Sequence, residues 1–264
     1  MPIPESPRVR YEKTSLESVV CQLRFPPILK IDSELPSTFQ EKIRDKFPHY
    51  EEVDQTSNFP ENVKKFFGGD LVGNIPLGPK SYNFKSDDEK WTVGLTRDFL
   101  AISTVDYNSW ETFKDNLNGP LAALNEVYRP SFFTRIGLRY KDVIRKSKLN
   151  LSSDLKWGVL LNSHLAGVLS SPQMGESIEE AISNFALKLD NNIGLLRVRH
   201  GLASAKNSKE ECYLIDCDYF SEEKTEVGNV ITKLDKFNRK ERDFFRWCIS
   251  DDLHRAMEPR DINS

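Results

Sequence analysis

A repeated succession of short alternating strands closed by a long amphipathic helix constrains this chain more than any other feature. Between residues 81 and 105, "SYNFKS", "WTVGLTR" and "FLAISTV" read as strands, separated by "DDEK" and by Asp98, connections tight enough for hairpins. "SWETFKDNLNGPLAALNEVY" then reads as a helix opened by Ser109 as its N-cap. The succession returns with "ISNFALKLD", "GLLRVRHGLA" and "CYLIDCDYF". It closes on "VGNVITKLDKFNRKERDFFRWCI", where Ile231, Leu234, Phe237, Phe244, Phe245 and Cys248 fall near one stripe. Hairpin-linked strands that precede helices, with no βαβ alternation, predict an α+β fold of antiparallel sheets with packed helices. The pattern suggests two similar βββα halves, although the two copies share no alignable sequence.

The remaining segments fit around this frame. "SVVCQLRFPP" puts Cys21, Leu23 and Phe25 on one parity and Gln22 and Arg24 on the other, which predicts a half-buried strand ended by a double proline. "ELPSTFQEKIRDKFPHY" carries Phe39, Ile43 and Phe47 at helical spacing between Pro36 and Pro48, a helix of about three turns. Residues 51–80, rich in Asn, Gly and Pro, read as irregular connection. "SFFTRIGLRYKDVIR" (131–145) is a long strand, and "SSDLKWGVLLNSHL" a helix. The whole chain, 1–264, is expected to be a single compact α+β unit, with halves 1–145 and 178–264 joined by a helical segment 146–177. That segment, with Trp157, Val159, Leu160, Leu161 and Leu165, is too apolar for a flexible tether.

Composition narrows the function classes. With 37 Lys+Arg against 40 Asp+Glu the net charge is −3, so no global field draws the chain to nucleic acid or to anionic membranes. Cys21, Cys212, Cys217 and Cys248 lack metal-ribbon or redox spacing and read as reduced core thiols. "MPIPESPRVRYEK" offers no apolar signal segment, and no apolar stretch approaches the roughly 20 residues of a spanning helix, so a cytoplasmic protein with no membrane association is expected. There is no GxGxxG after a strand, no GxxxxGK[ST], no GxSxG and no HExxH, and "FFGGD" lacks a phosphate-loop lysine. The four histidines, His49, His164, His200 and His254, sit one to an element. No catalytic residue, cofactor or metal ligand is therefore assigned.

Two basic stretches require weighing. In residues 195–203, Leu196, Val198, His200 and Leu202 share a parity, so the histidine lies on the apolar face and is expected in the core. A hairpin centred on Asn207 and Ser208 would set Arg199 opposite Asp216 and Arg197 opposite Asp218, a cross-strand ion-pair ladder rather than a metal or acid/base pair. In the strand at 131–145, by contrast, Arg135, Arg139, Lys141 and Arg145 share a face with only Asp142 in the run to offset them. They form the candidate anion-binding surface, because guanidinium forks suit phosphate and carboxylate, against the plainer reading of a solvated sheet face.

"SLESVVCQLRFPPILKIDSELPSTFQEKIRDKFPHYEE", "FFTRIGLRYKDVI" and "CISDDLHRAMEP" resemble a sporadically distributed bacterial family of uncharacterised proteins of about this length, over nearly the whole chain. The resemblance supplies no site residues. Its patchy occurrence implies genes on mobile islands, such as defence or toxin–antitoxin loci. Two expectations stand together: a non-catalytic interaction or regulatory protein with a protein partner, and, alternatively, an enzyme or sensor that binds nucleotide or nucleic acid through the basic strand face. Self-association into a homo-oligomer is left open.

Overall fold

The computed structural model describes residues 3–53, 80–204 and 210–262. The strands are β1 (Val9–Tyr11), β2 (Leu16–Arg24), β3 (His49–Val53), β4 (Ser81–Lys85), β5 (Trp91–Thr96), β6 (Phe99–Thr104), β7 (Arg135–Arg145), β8 (Ile182–Lys188), β9 (Leu195–Ser204), β10 (Glu211–Ser221) and β11 (Pro259–Asp261). The helices are α1 (Lys30–Ser33), α2 (Ser37–Ile43), α3 (Trp110–Val127), α4 (Trp157–Leu160), α5 (Ser163–Ala166), α6 (Val230–Cys248) and α7 (Asp251–Ala256). The protein is α+β, built on antiparallel strand pairs. Among the described residues no helix is long and apolar enough to cross a membrane.

The chain divides into two units, with both boundaries of the central segments falling inside strands. One comprises Met1–Val19, Leu138–Ser221 and Thr232–Ser264; the other comprises Val20–Gly137 and Glu222–Ile231. Within the second unit the strand order is β3-β4-β5-β6 followed by the C-terminal part of β2. Within the first it is the N-terminal part of β2, then β7-β10-β9-β8. Each unit thus combines a three-strand meander, followed by a long helix, with two further strands.

In the second unit Ser109 accepts the Thr112 amide at 3.1 Å and opens α3, as the sequence predicts. Trp110, Phe113, Leu117, Leu121 and Leu124 recur at helical spacing and are all buried. The helix α2 packs on α3 through Phe39 and Ile43, with Lys42–Glu126 and Lys46–Asp115 ion pairs at its margin. It is shorter than predicted, ending at Ile43, although Phe47 beyond it is still buried. The strand β3 is an addition to the sequence reading, which placed residues 51–80 in irregular connection; of these, 54–79 lie outside the described residues.

In the first unit β9 and β10 pair with Arg199 opposite Asp216 and Arg197 opposite Asp218, the predicted register; the turn at Asn207 and Ser208 lies outside the described residues. Leu196, Val198, His200 and Leu202 face inward, as do Tyr213, Ile215, Cys217 and Tyr219. Gly201 is required where it stands: its φ is +151°, and a Cβ there would sit 1.9 Å from the Ala181 carbonyl oxygen, which accepts the Leu202 amide. The predicted helix around 152–165 is instead two single turns, α4 and α5. The break has a cause. Leu161 bridges to Ile249, the Asn162 backbone amide donates to the Cys248 carbonyl, and the Asn162 side-chain amide donates to the carbonyls of Trp247 and Ile249, so bonds to a segment distant in sequence replace helix continuation.

Candidate functional site

The β7 row alternates as its sequence demands. Ile136, Leu138, Tyr140, Asp142 and Ile144 are buried, while Arg135, Arg139, Lys141 and Arg145 occupy the half-exposed face. The four cations are not, however, a bare electropositive strip. Arg139 grips both oxygens of Asp216, from β10, at 2.6 and 2.5 Å, with side-chain exposures of 17% and 9%. Lys141 and Arg145 converge on one carboxylate, Glu17 of β2, at 2.9 and 2.6 Å. In the second unit, Arg135 donates to the Gln22 amide oxygen at 3.2 Å.

This geometry corrects two details of the sequence reading. Asp216 meets Arg139 from the neighbouring strand, not Arg199 across its own hairpin, and Arg197 lies 5.1 Å from the Phe220 ring centroid. Asp142 does not offset the basic face either, because its parity turns it inward. Glu17 does so instead. Burial pulls the Glu17 carboxyl upward, but hydrogen bonds and charge from Lys141 and Arg145 outweigh it and hold it below the usual carboxylate range. Any phosphate or carboxylate ligand at this face would have to displace Glu17 or Asp216 from partners they already hold.

Beneath the row lies a cluster the sequence reading did not single out. Asp142 is 5% exposed and accepts a 2.7 Å hydrogen bond from Ser15. Burial, reinforced by the charges of Asp216 and Glu17, pushes its carboxyl up to about 7 against the pull of the Ser15 hydroxyl. Glu241 sits on the apolar stripe of α6 between Phe237 and Phe244, is 8% exposed, and is pushed up to about 8 by burial and by the charge of Asp142. Neither Glu241 Oε2 nor the Tyr219 hydroxyl completes a hydrogen bond of good geometry, although each perturbs the other. Burial likewise drives the Cys217 and Cys248 thiols far up, so both stay protonated. The signal for Glu241 was present in the sequence: a carboxylate one turn from Phe237 and Phe244 interrupts an otherwise apolar stripe.

His200 is a core histidine, as expected. It is 6% exposed, and its Nδ1 lies 2.7 Å from the Tyr213 hydroxyl. That hydroxyl donates to the Leu165 carbonyl, so Nδ1 carries the proton and donates to the phenol. Burial lowers its basicity, which favours the neutral ring. Among the described residues no group of three or more His, Cys, Asp or Glu is arranged to hold a metal ion. No protein-family model matches the chain, and no curated protein matches it.

Proposed function

We propose that the chain is a non-catalytic interaction or regulatory protein. Its setting, on the family resemblance, is an accessory role at a bacterial mobile defence or toxin–antitoxin locus. The observation that supports this reading is the placement of the reactive groups. Asp142, Glu241, Cys217 and Cys248 are at most 8% exposed, and the cations of β7 are occupied by carboxylate or amide oxygens of the same unit. General acids, bases and nucleophiles must come within hydrogen-bond reach of a substrate, which these groups do not offer. Structural ion pairs, unlike a catalytic constellation, are complete without a ligand.

The test uses the full chain, purified at native level from its own cells and resolved by size exclusion. The reading predicts a protein partner in fixed stoichiometry, with no compound consumed when the chain is incubated with an extract of small metabolites. Time-dependent loss of a metabolite that Glu241→Gln or Asp142→Asn abolishes would overturn it. Nucleotide or nucleic acid co-purifying in place of a protein, and released by charge reversal at Arg139 and Lys141, would transfer the role to the basic face of β7.

A further inference from the structure

The first unit contains a cavity of about 300 Å³ distinct from the β7 row and from the buried acids. Lys146, the residue that follows β7, lines it and is only 8% exposed. The ammonium donates to the Ser153 carbonyl at 2.9 Å and stands 4.6 Å from the Trp157 ring centroid. Both partners are neutral, and among the described residues no carboxylate comes within ion-pair distance of it. A buried ammonium held by one carbonyl and one π-face, without a direct ion pair, retains a donor for an incoming anion.

The rest of the lining restricts what that anion can be. Trp157 is fixed by its Nε1–H donating to Glu211 at 2.6 Å, so the indole forms a rigid wall. Leu155, Leu169, Ile178 and Leu202 supply the apolar part of a mixed lining that stays open to solvent on one side. The volume is at the small end of ligand sites, enough for a single ring or a branched aliphatic group and too little for a nucleotide. Lys156, Asp154 and Glu211 also border the cavity; the two carboxylates limit the positive field of the two ammonium groups, and Glu211 is already held by the Trp157 indole, so the lining favours a monoanion over a dianion. We propose that this cavity binds a small organic carboxylate with an apolar body, its single negative charge balanced by Lys146. The site stands independently of the interaction reading above.

The experiment titrates the full chain with phenylacetate, phenylacetamide and phenyl phosphate, followed by calorimetry and ligand-observed NMR. Phenylacetate should bind saturably, at least about 10-fold tighter than the neutral amide and tighter than the phosphate. Lys146→Arg should hold the affinity within a few-fold, and Lys146→Met should weaken it about 10-fold or more. Because Lys146→Met alters a packed side chain, Ile178→Trp provides a second arm: it fills the cavity, leaves Lys146 in place and should abolish binding. Three results each overturn the proposal: equal binding of acid and amide, tighter binding of the phosphate, or affinity unchanged in both Lys146→Met and Ile178→Trp. Absence of saturable binding by both phenylacetate and isobutyrate below about 10 mM overturns it as well.

Discussion

The two units share a pattern, a meander of three strands with a long helix after it and two further strands, yet they fill their interiors with different chemistry. Among the described residues of the second unit the buried polar side chains are neutral: Gln22, Ser81, Asn83, Thr96, Thr104 and Thr225. The buried carboxyl, ammonium and imidazole side chains, Asp142, Lys146, His200, Asp216, Glu241 and Asp243, all belong to the first. The helices make the contrast local. Along α3 the buried stripe runs Phe113, Leu117, Leu121 and Leu124; along α6 it runs Leu234, Phe237, Glu241, Phe244 and Cys248. The same binary pattern therefore tolerates a carboxyl group in a leucine-like position, provided the group remains protonated and so avoids the cost of a buried charge.

The sharpest way to break the comparison is to give the second unit what the first one has. Leu117→Glu places a carboxyl at a position that is 1% exposed, with no evolved surroundings to keep it neutral. The substitution should destabilise the second unit by about 5 kcal/mol at neutral pH, read as a lost or greatly lowered unfolding transition in denaturant. An effect under about 1 kcal/mol would mean that such positions are permissive in both units.

The next effect is on pH dependence. Glu241 is raised from 4.5 to about 8 and Asp142 from 3.8 to about 7, so the folded chain retains protons that the unfolded chain releases. Stability from these groups is fully present below their unfolded values and is lost as pH rises toward 8. His200 and His254, both lowered by burial, act in the opposite sense and cost stability below about pH 6.5. Stability should therefore peak on the acid side of neutrality, and between about pH 6 and 8.5 the decline should amount to several kcal/mol. Glu241→Gln should remove much of that decline, measured as unfolding midpoint against pH.

Two smaller effects sharpen the contrast at the margins. Arg139→Ala strands Asp216 at 9% side-chain exposure and should cost about 3 kcal/mol. Lys141→Ala, at 42% exposure and with Arg145 still on Glu17, should cost under about 1 kcal/mol. Ser109→Ala and Ser250→Ala remove matched N-caps, on α3 in one unit and α7 in the other, and should each cost about 1 kcal/mol. Equal cap effects would show that the units differ in their cores rather than in their local helix signals.

What was legible in the sequence follows the range of the interaction. Period-two alternation located β9 and β10, and hairpin geometry fixed their register, because both depend on residues near in sequence. The cap at Ser109 was legible for the same reason. The counter-ion of Lys141 and Arg145 was not, since Glu17 lies 124 and 128 residues away and nothing local announces the pairing. The strand β3, "HYEEV", carries no inward apolar row and gains its identity from pairing with β4. The broken helix at Leu161 depends on carbonyls of Trp247 and Ile249 that no local pattern reveals.

The claim at the centre of this account is that the first unit holds a neutral carboxylic acid inside its core at physiological pH. It is tested most directly by the ¹³C resonance of the Glu241 side-chain carboxyl, assigned by its disappearance in Glu241→Gln and followed through a pH titration of the folded chain. The account predicts a protonated carboxyl at pH 7 that titrates near 8, with Asp142 near 7. A Glu241 midpoint at about 4.5, the ordinary solvent-exposed value, would contradict it.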